Sequence, residues 1–147
     1  MSRAALKVGG DPETLAQQRV TMGLNFFLRT IALFYLALAA VTWAWAVGAW
    51  PNPDIRFDTV TSLERTMLAV FAVLHPVCAV GLWSTVAWGK VVWFLTILAH
   101  AAGSIAQTQS FFVPRIILVI DVMFLAMFAC FATALWLLAR QVKVRKA

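Results

Sequence analysis

Three ionisable side chains lie inside long apolar runs, and they are the residues with the clearest potential for chemistry. His75, His100 and Asp121 each have almost entirely apolar neighbours along the sequence. An ionisable group in an apolar medium is costly unless it is neutral or paired, so such residues usually bond one another or mark a functional site. We take these three residues, which we call the polar layer, as the candidate site.

The spacing of these residues predicts that they lie at one depth. A chain reversal at residues 87–88 sets His75 level with His100. A second reversal at residues 110–111 sets His100 level with Asp121, to within about one helical turn. We therefore expect His100 to pair with Asp121, and His75 to join them.

Several roles fit the polar layer. Paired imidazole and carboxylate groups can form a structural clasp that fixes the helices in register, and the same groups can relay a proton. His75 and Cys78 share a helix face and could form a metal site with His100 and Asp121, or the two histidines could ligate a haem. No ligand motif accompanies them, so we predict the clasp, with no metal and no cofactor.

Four long apolar runs separated by three polar breaks carry these residues. Crossing a bilayer takes about 20 apolar helical residues, and 63% of the 147 residues are hydrophobic. We predict an all-α transmembrane domain over residues 26–138. Its predicted spans are residues 26–49, 65–83, 91–106 and 116–138.

The connections and the charges predict the topology. Four spans with short connections favour an up-down-up-down four-helix bundle. Nine of the 12 Lys and Arg residues fall on one predicted side: Arg3, Lys7, Arg19, Arg29, Lys90, Arg140, Lys143, Arg145 and Lys146. The excess of cations on the cytoplasmic side of membrane proteins places both termini in the cytoplasm. Residues 1–25 then form an N-terminal tail, frayed or an interfacial helix, and residues 139–147 form a basic tail. Within the N-terminal tail, Asp11 as a cap and Pro12 at the first helical position predict a helix start.

Pro76 predicts a local defect in the second span. A proline in mid-helix removes one backbone hydrogen bond and bends the helix. The carbonyls left free lie about one turn earlier, near Phe71 and Ala72, and they need a donor from a neighbouring helix.

Two further patterns concern helix ends and helix packing. Thr61 and Glu64 have the spacing of a capping box, which predicts a helix start. Ala40, Ala44 and Gly48 lie four residues apart and form a face of small residues on the first span. Such a face lets helix backbones approach closely, and we predict a helix-packing role within the chain or in a homodimer.

The sequence carries no catalytic constellation. It lacks a Gly-rich phosphate loop, a nucleophile elbow and a His-Glu-x-x-His motif, so we predict that the protein is not an enzyme. The cations flank the spans rather than forming a basic patch, which argues against a nucleic-acid partner. Seven tryptophans and the small-residue face favour partners in the lipid bilayer: another membrane protein or a second copy. The alternative is a proton-linked transporter or regulator that uses the polar layer.

Two segments resemble a known family. One begins at Phe27-Leu28-Arg29, and the other runs from Phe57-Asp58 through residues 74–83 to Trp93. Together they resemble a bacterial family of small four-helix membrane proteins, domain-of-unknown-function family 6163. The resemblance implies a multi-pass protein of the bacterial inner membrane and brings no established activity.

Overall fold

The computed structural model describes residues 12–49, 60–106 and 115–145. Helices are the only regular secondary structure within these ranges. They are α1 (Pro12–Ala46), α2 (Ser62–Trp83), α3 (Ala87–Ala106) and α4 (Arg115–Arg145). Each of the four helices is long and apolar enough to cross a membrane.

The helices extend beyond the apolar runs. Helix α1 begins at Pro12, whereas the first predicted span begins at residue 26, and no break separates the two. Helix α4 continues to Arg145, well into the predicted basic tail. A helix needs only backbone hydrogen bonds to continue, so polar residues at its ends do not stop it. The remainder of both predicted tails lies outside the described residues.

The start of α2 has the predicted capping box. The Thr61 hydroxyl accepts from the Glu64 backbone N–H, and the Glu64 carboxylate accepts from the Thr61 backbone N–H. These two bonds satisfy donors that the first turn of a helix leaves free. Helix α2 then continues through Pro76 to Trp83, and the bend at Pro76 stays a prediction.

Contacts between neighbouring helices run in opposite order along the two sequences. Arg29 and Thr42 of α1 contact Trp83 and His75 of α2, respectively. The same reversal relates α1 to α4, whose contacts include Phe27 with Phe131 and Phe34 with Phe124. A central core cluster from α1, α2 and α3 is built from Phe27, Leu28, Ile31, Ala32, Tyr35, Cys78, Ala79, Leu82 and Trp93.

Helices α2 and α3 form a tight hairpin whose close approach depends on two glycines. A Cβ atom added to Gly81 would lie 2.6 Å from the Gly89 Cα atom. Real Cβ atoms do not approach a backbone atom so closely, so both positions require a residue without a side chain. The pair brings α3 against α2 from its first turn.

The face of Ala40, Ala44 and Gly48 is largely open within the described part of the chain. Ala40 and Gly48 are exposed, and Ala44 is half-buried. Gly48 lies two residues beyond the last residue of α1 and has φ of 71°. The Ala49 N–H bonds the Ala44 carbonyl, and the Gly48 N–H bonds the Trp45 carbonyl. This pattern is a Schellman C-cap, so Gly48 ends the helix. The helix-packing role of this face stays a prediction.

Candidate functional site

The structure brings the three residues of the polar layer together at the centre of the four helices. The Nε2 atoms of His75 and His100 lie 3.0 Å apart. His100 Nδ1 lies 2.6 Å from Asp121 Oδ2, as the sequence predicts for this pair. The exposed fractions of His75, His100 and Asp121 are 4%, 1% and 0%, so bulk solvent does not reach these groups.

Two hydroxyl residues of α1 complete the site. The Tyr35 hydroxyl donates to Asp121 Oδ1 at 2.7 Å. The Thr42 hydroxyl oxygen lies 3.1 Å from His75 Nδ1. All four helices are therefore joined by one hydrogen-bonded network, which runs through Thr42, His75, His100, Asp121 and Tyr35. We call these five residues the polar network.

Aromatic rings enclose the two histidines. The Phe71 ring centroid lies 5.3 Å from that of His75 and 4.9 Å from that of His100. The Tyr35 ring stacks parallel to His100, with an interplanar angle of 4°. Because apolar faces replace water here, a polar atom without a hydrogen-bond partner would be costly in free energy. Every nitrogen and carboxylate oxygen of the polar layer does have a partner.

The backbone carbonyl that Pro76 leaves without a helical donor has a hydrogen-bond partner close to the polar network. The Trp43 indole Nε1–H donates to the backbone carbonyl of Ala72 at 3.0 Å. Ala72 precedes Pro76 by four residues, so its carbonyl is the one that lacks a helical donor. The predicted donor from a neighbouring helix is therefore confirmed, and Trp43 provides it.

Other hydroxyl groups near the polar network do not extend it within the described part of the chain. Thr96 donates to the Val92 carbonyl, and Ser104 donates to the His100 carbonyl. Both bonds return to the helix that carries the hydroxyl. The polar network therefore extends across the four helices, and these two hydroxyl groups do not continue it along the helix axes.

The residue types with metal affinity do not cluster further. Cys78 is a free, fully buried thiol and Cys130 a free, exposed one. Among the described residues, no group of three or more His, Cys, Asp or Glu side chains is placed to hold a metal ion.

A known family model matches residues 22–139, a segment that includes all of the polar network. The family is described as one of unknown function, DUF6163. The chain belongs to the DUF6163 family. The match confirms the resemblance seen in the sequence. No curated protein and no solved structure matches this DUF6163 chain.

Sequence reasoning missed Tyr35, Thr42 and the bonding role of Trp43 in this DUF6163 chain. One signal was present: Tyr35 and Thr42 are seven residues apart, which places them on one face of a helix. Tyr35 is also the single tyrosine of the sequence. A tyrosine buried in an apolar environment usually needs a partner for its hydroxyl group. In the pairing predicted from the sequence, Asp121 bonds His100 through one carboxylate oxygen and has a second oxygen that can accept from such a hydroxyl.

Proposed function

We propose that the protein is a non-enzymatic, multi-pass protein of the bacterial inner membrane that acts by packing against another membrane protein or a second copy of itself. Its four helices cross the membrane up-down-up-down, with both termini in the cytoplasm. The opposite order of contacts along neighbouring helices supports this arrangement. Large apolar side chains exposed on every helix support the membrane location.

This proposal rests on the polar network, in which each side-chain group is hydrogen-bonded to another group of the chain. Asp121 accepts from Tyr35 and bonds His100, His100 bonds His75, and His75 bonds Thr42. A network whose groups are all bonded within the chain acts as a clasp and presents no free polar group to a substrate. The protein then acts through its outer surface, which is apolar and rich in small and aromatic residues.

Site-specific photo-crosslinking in native membranes tests the partner. A photoreactive residue at Ala40, on the open small-residue face, should give one discrete adduct with another membrane protein or with a second copy. The matched control is Val73, which is exposed on α2 outside that face. Adducts with lipid alone from both positions would contradict the proposal.

A proton-linked transporter or regulator is the second candidate function. The short contact between His100 and Asp121 within a five-residue polar network favours it, because such a network can pass protons between its members. The folded double variant His100→Leu/Asp121→Leu separates the two functions in a deletion strain. The clasp predicts retained complementation, because a structural role requires only that the variant folds, even though His75 Nε2 and the Tyr35 hydroxyl lose their partners. Loss of complementation by a folded double variant, together with pH-driven flux in proteoliposomes of the wild type, would establish the proton-linked function.

A further inference from the structure

The Thr42 hydroxyl fixes the direction of the polar network. This hydroxyl donates its hydrogen to the Leu38 carbonyl at 2.7 Å. A threonine has one hydroxyl hydrogen, so toward His75 its oxygen can act only as an acceptor. The His75 Nδ1 atom, 3.1 Å away, must therefore carry a hydrogen and donate it.

The remaining protons follow from this assignment. A neutral His75 that carries its hydrogen on Nδ1 presents a lone pair at Nε2. The facing Nε2 atom of His100, at 3.0 Å, must then supply the hydrogen between the two rings. One further hydrogen is needed between His100 Nδ1 and Asp121 Oδ2, because the 2.6 Å contact would otherwise join two lone pairs.

The charged groups around the polar layer agree with a count of three protons in it. Three protons on two histidines and one aspartate make the polar layer electrically neutral. Among the Lys and Arg residues whose burial the structure describes, none is buried. The other titratable groups in the core cluster are Tyr35 of α1, which donates to Asp121, and the buried thiol Cys78 of α2. Without the third proton the layer would hold a carboxylate that is hydrogen-bonded by Tyr35 but has no counter-charge from a described residue, which is unfavourable in an apolar site.

We propose that the polar layer is a binding site for one exchangeable proton, and that Thr42 is the residue that responds to its release. The proton lies on the line between His100 Nδ1 and Asp121 Oδ2. Because bulk solvent does not reach the layer in the closed bundle, release takes place when the helices open transiently and admit water to His75. His75 Nδ1 then gives its proton to that water, the proton between the rings passes from His100 Nε2 to His75 Nε2, and the third proton settles on His100 Nδ1. One proton departs, every other is conserved, and the layer becomes singly negative.

Release of this proton changes a contact between α1 and α2. His75 Nδ1 becomes an acceptor, so the Thr42 hydroxyl must turn from the Leu38 carbonyl to donate to it. The inference goes beyond the clasp and does not depend on any partner protein. It gives the polar network two bonded states that differ by one proton and by the direction of every bond between Thr42 and His100.

Nuclear magnetic resonance of protein labelled with 15N-histidine in bicelles tests the assignment in the wild type. We expect His75 to be protonated at Nδ1 and not at Nε2, and we expect a scalar coupling across the hydrogen bond between the two Nε2 atoms. Raising the pH should release one proton per chain and move the His75 hydrogen to Nε2. A His75 hydrogen on Nε2 at neutral pH would overturn the proposal, as would an equivalent of bound metal between the rings.

Asp121→Asn is the decisive variant, because its amide mimics a protonated carboxyl group. The amide Nδ2–H can donate to His100 Nδ1 while the amide oxygen still accepts from Tyr35. We expect this variant to keep both histidine tautomers and to lose the single-proton release. A variant that releases the same proton, or in which His75 changes tautomer, would refute the site. Thr42→Ser serves as the matched control and should keep both the tautomer and the release.

Discussion

The indole of Trp43 donates to the backbone carbonyl of Ala72, which Pro76 deprives of its helical donor. The bond joins α1 to α2 one residue beyond Thr42, whose hydroxyl oxygen bonds His75 Nδ1. A proline in mid-helix would ordinarily leave this carbonyl without a partner in an apolar medium. In this protein the carbonyl that Pro76 leaves free in α2 accepts a hydrogen bond that connects α2 to α1.

Trp43→Phe should destabilise the protein through this carbonyl. Phenylalanine retains most of the apolar contact area but has no donor, and leaving a buried acceptor without a partner costs about 1–3 kcal/mol. The measurement is thermal unfolding in a mild detergent.

Pro76→Ala provides the matched control for the Trp43 variant. Alanine returns the backbone N–H that bonds the Ala72 carbonyl within the helix. Trp43→Phe should therefore cost less in the Pro76→Ala background than in the wild type. Equal costs in both backgrounds would show that the indole stabilises the protein by contact area alone.

The sequence predicted the polar layer because helical geometry is regular and the last two connections are short. Counting residues through those reversals was enough to place His75, His100 and Asp121 at one level. The connection between α1 and α2 is longer, so the level of Tyr35 and Thr42 could not be counted in the same way. Hydropathy marked the apolar runs, and the Asp11-Pro12 pattern predicted the helix start that the structure has at Pro12. Hydropathy could not show that this helix continues without a break into the first span, because backbone bonding continues through polar residues.

Gly81→Ala should disrupt the hairpin of α2 and α3. The added methyl group would lie 2.6 Å from both the Gly89 Cα atom and the Trp88 ring. Relieving this overlap requires the helices to separate, and overpacking of this kind costs about 1–3 kcal/mol. Thermal unfolding should show the loss.

Gly23→Ala is the control for the glycine effect. Its Cβ atom would lie 3.4 Å from the Phe131 ring, near ordinary van der Waals contact. Alanine is the better helix former by about 0.5–1 kcal/mol, so this variant should be unchanged or more stable. A Gly81→Ala protein as stable as Gly23→Ala would mean that the two helices do not approach as closely as described.

Thr42→Val should destabilise the protein more than Thr42→Ser. Valine has nearly the shape of threonine but offers no oxygen to His75 Nδ1, and an unpaired buried donor costs about 1–3 kcal/mol. Serine retains the oxygen and its bond. Equal unfolding temperatures for the two variants would remove Thr42 from the polar network.

The proposed topology predicts which positions are accessible from each side. In a background without Cys78 and Cys130, a cysteine at Ala49 should react with a membrane-impermeant maleimide in intact cells. A cysteine at Ser84, in the turn between α2 and α3, should react only after the membrane is opened. Both positions are exposed in the structure. Reaction at Ser84 in intact cells would reverse the proposed orientation.

His100 and Asp121 should show strongly non-additive effects on stability. Asp121→Leu removes the bonding partner of both His100 Nδ1 and the Tyr35 hydroxyl, so it should be the costlier single change. Adding His100→Leu removes the unpaired Nδ1 but leaves His75 Nε2 without its partner, so the double variant should lose less stability than the sum of the two single losses. Contacting residues in one network have interaction energies of about 0.5–3 kcal/mol in a double-mutant cycle. Additive losses in the cycle, measured by thermal unfolding in detergent, would show that the two side chains do not act as a pair.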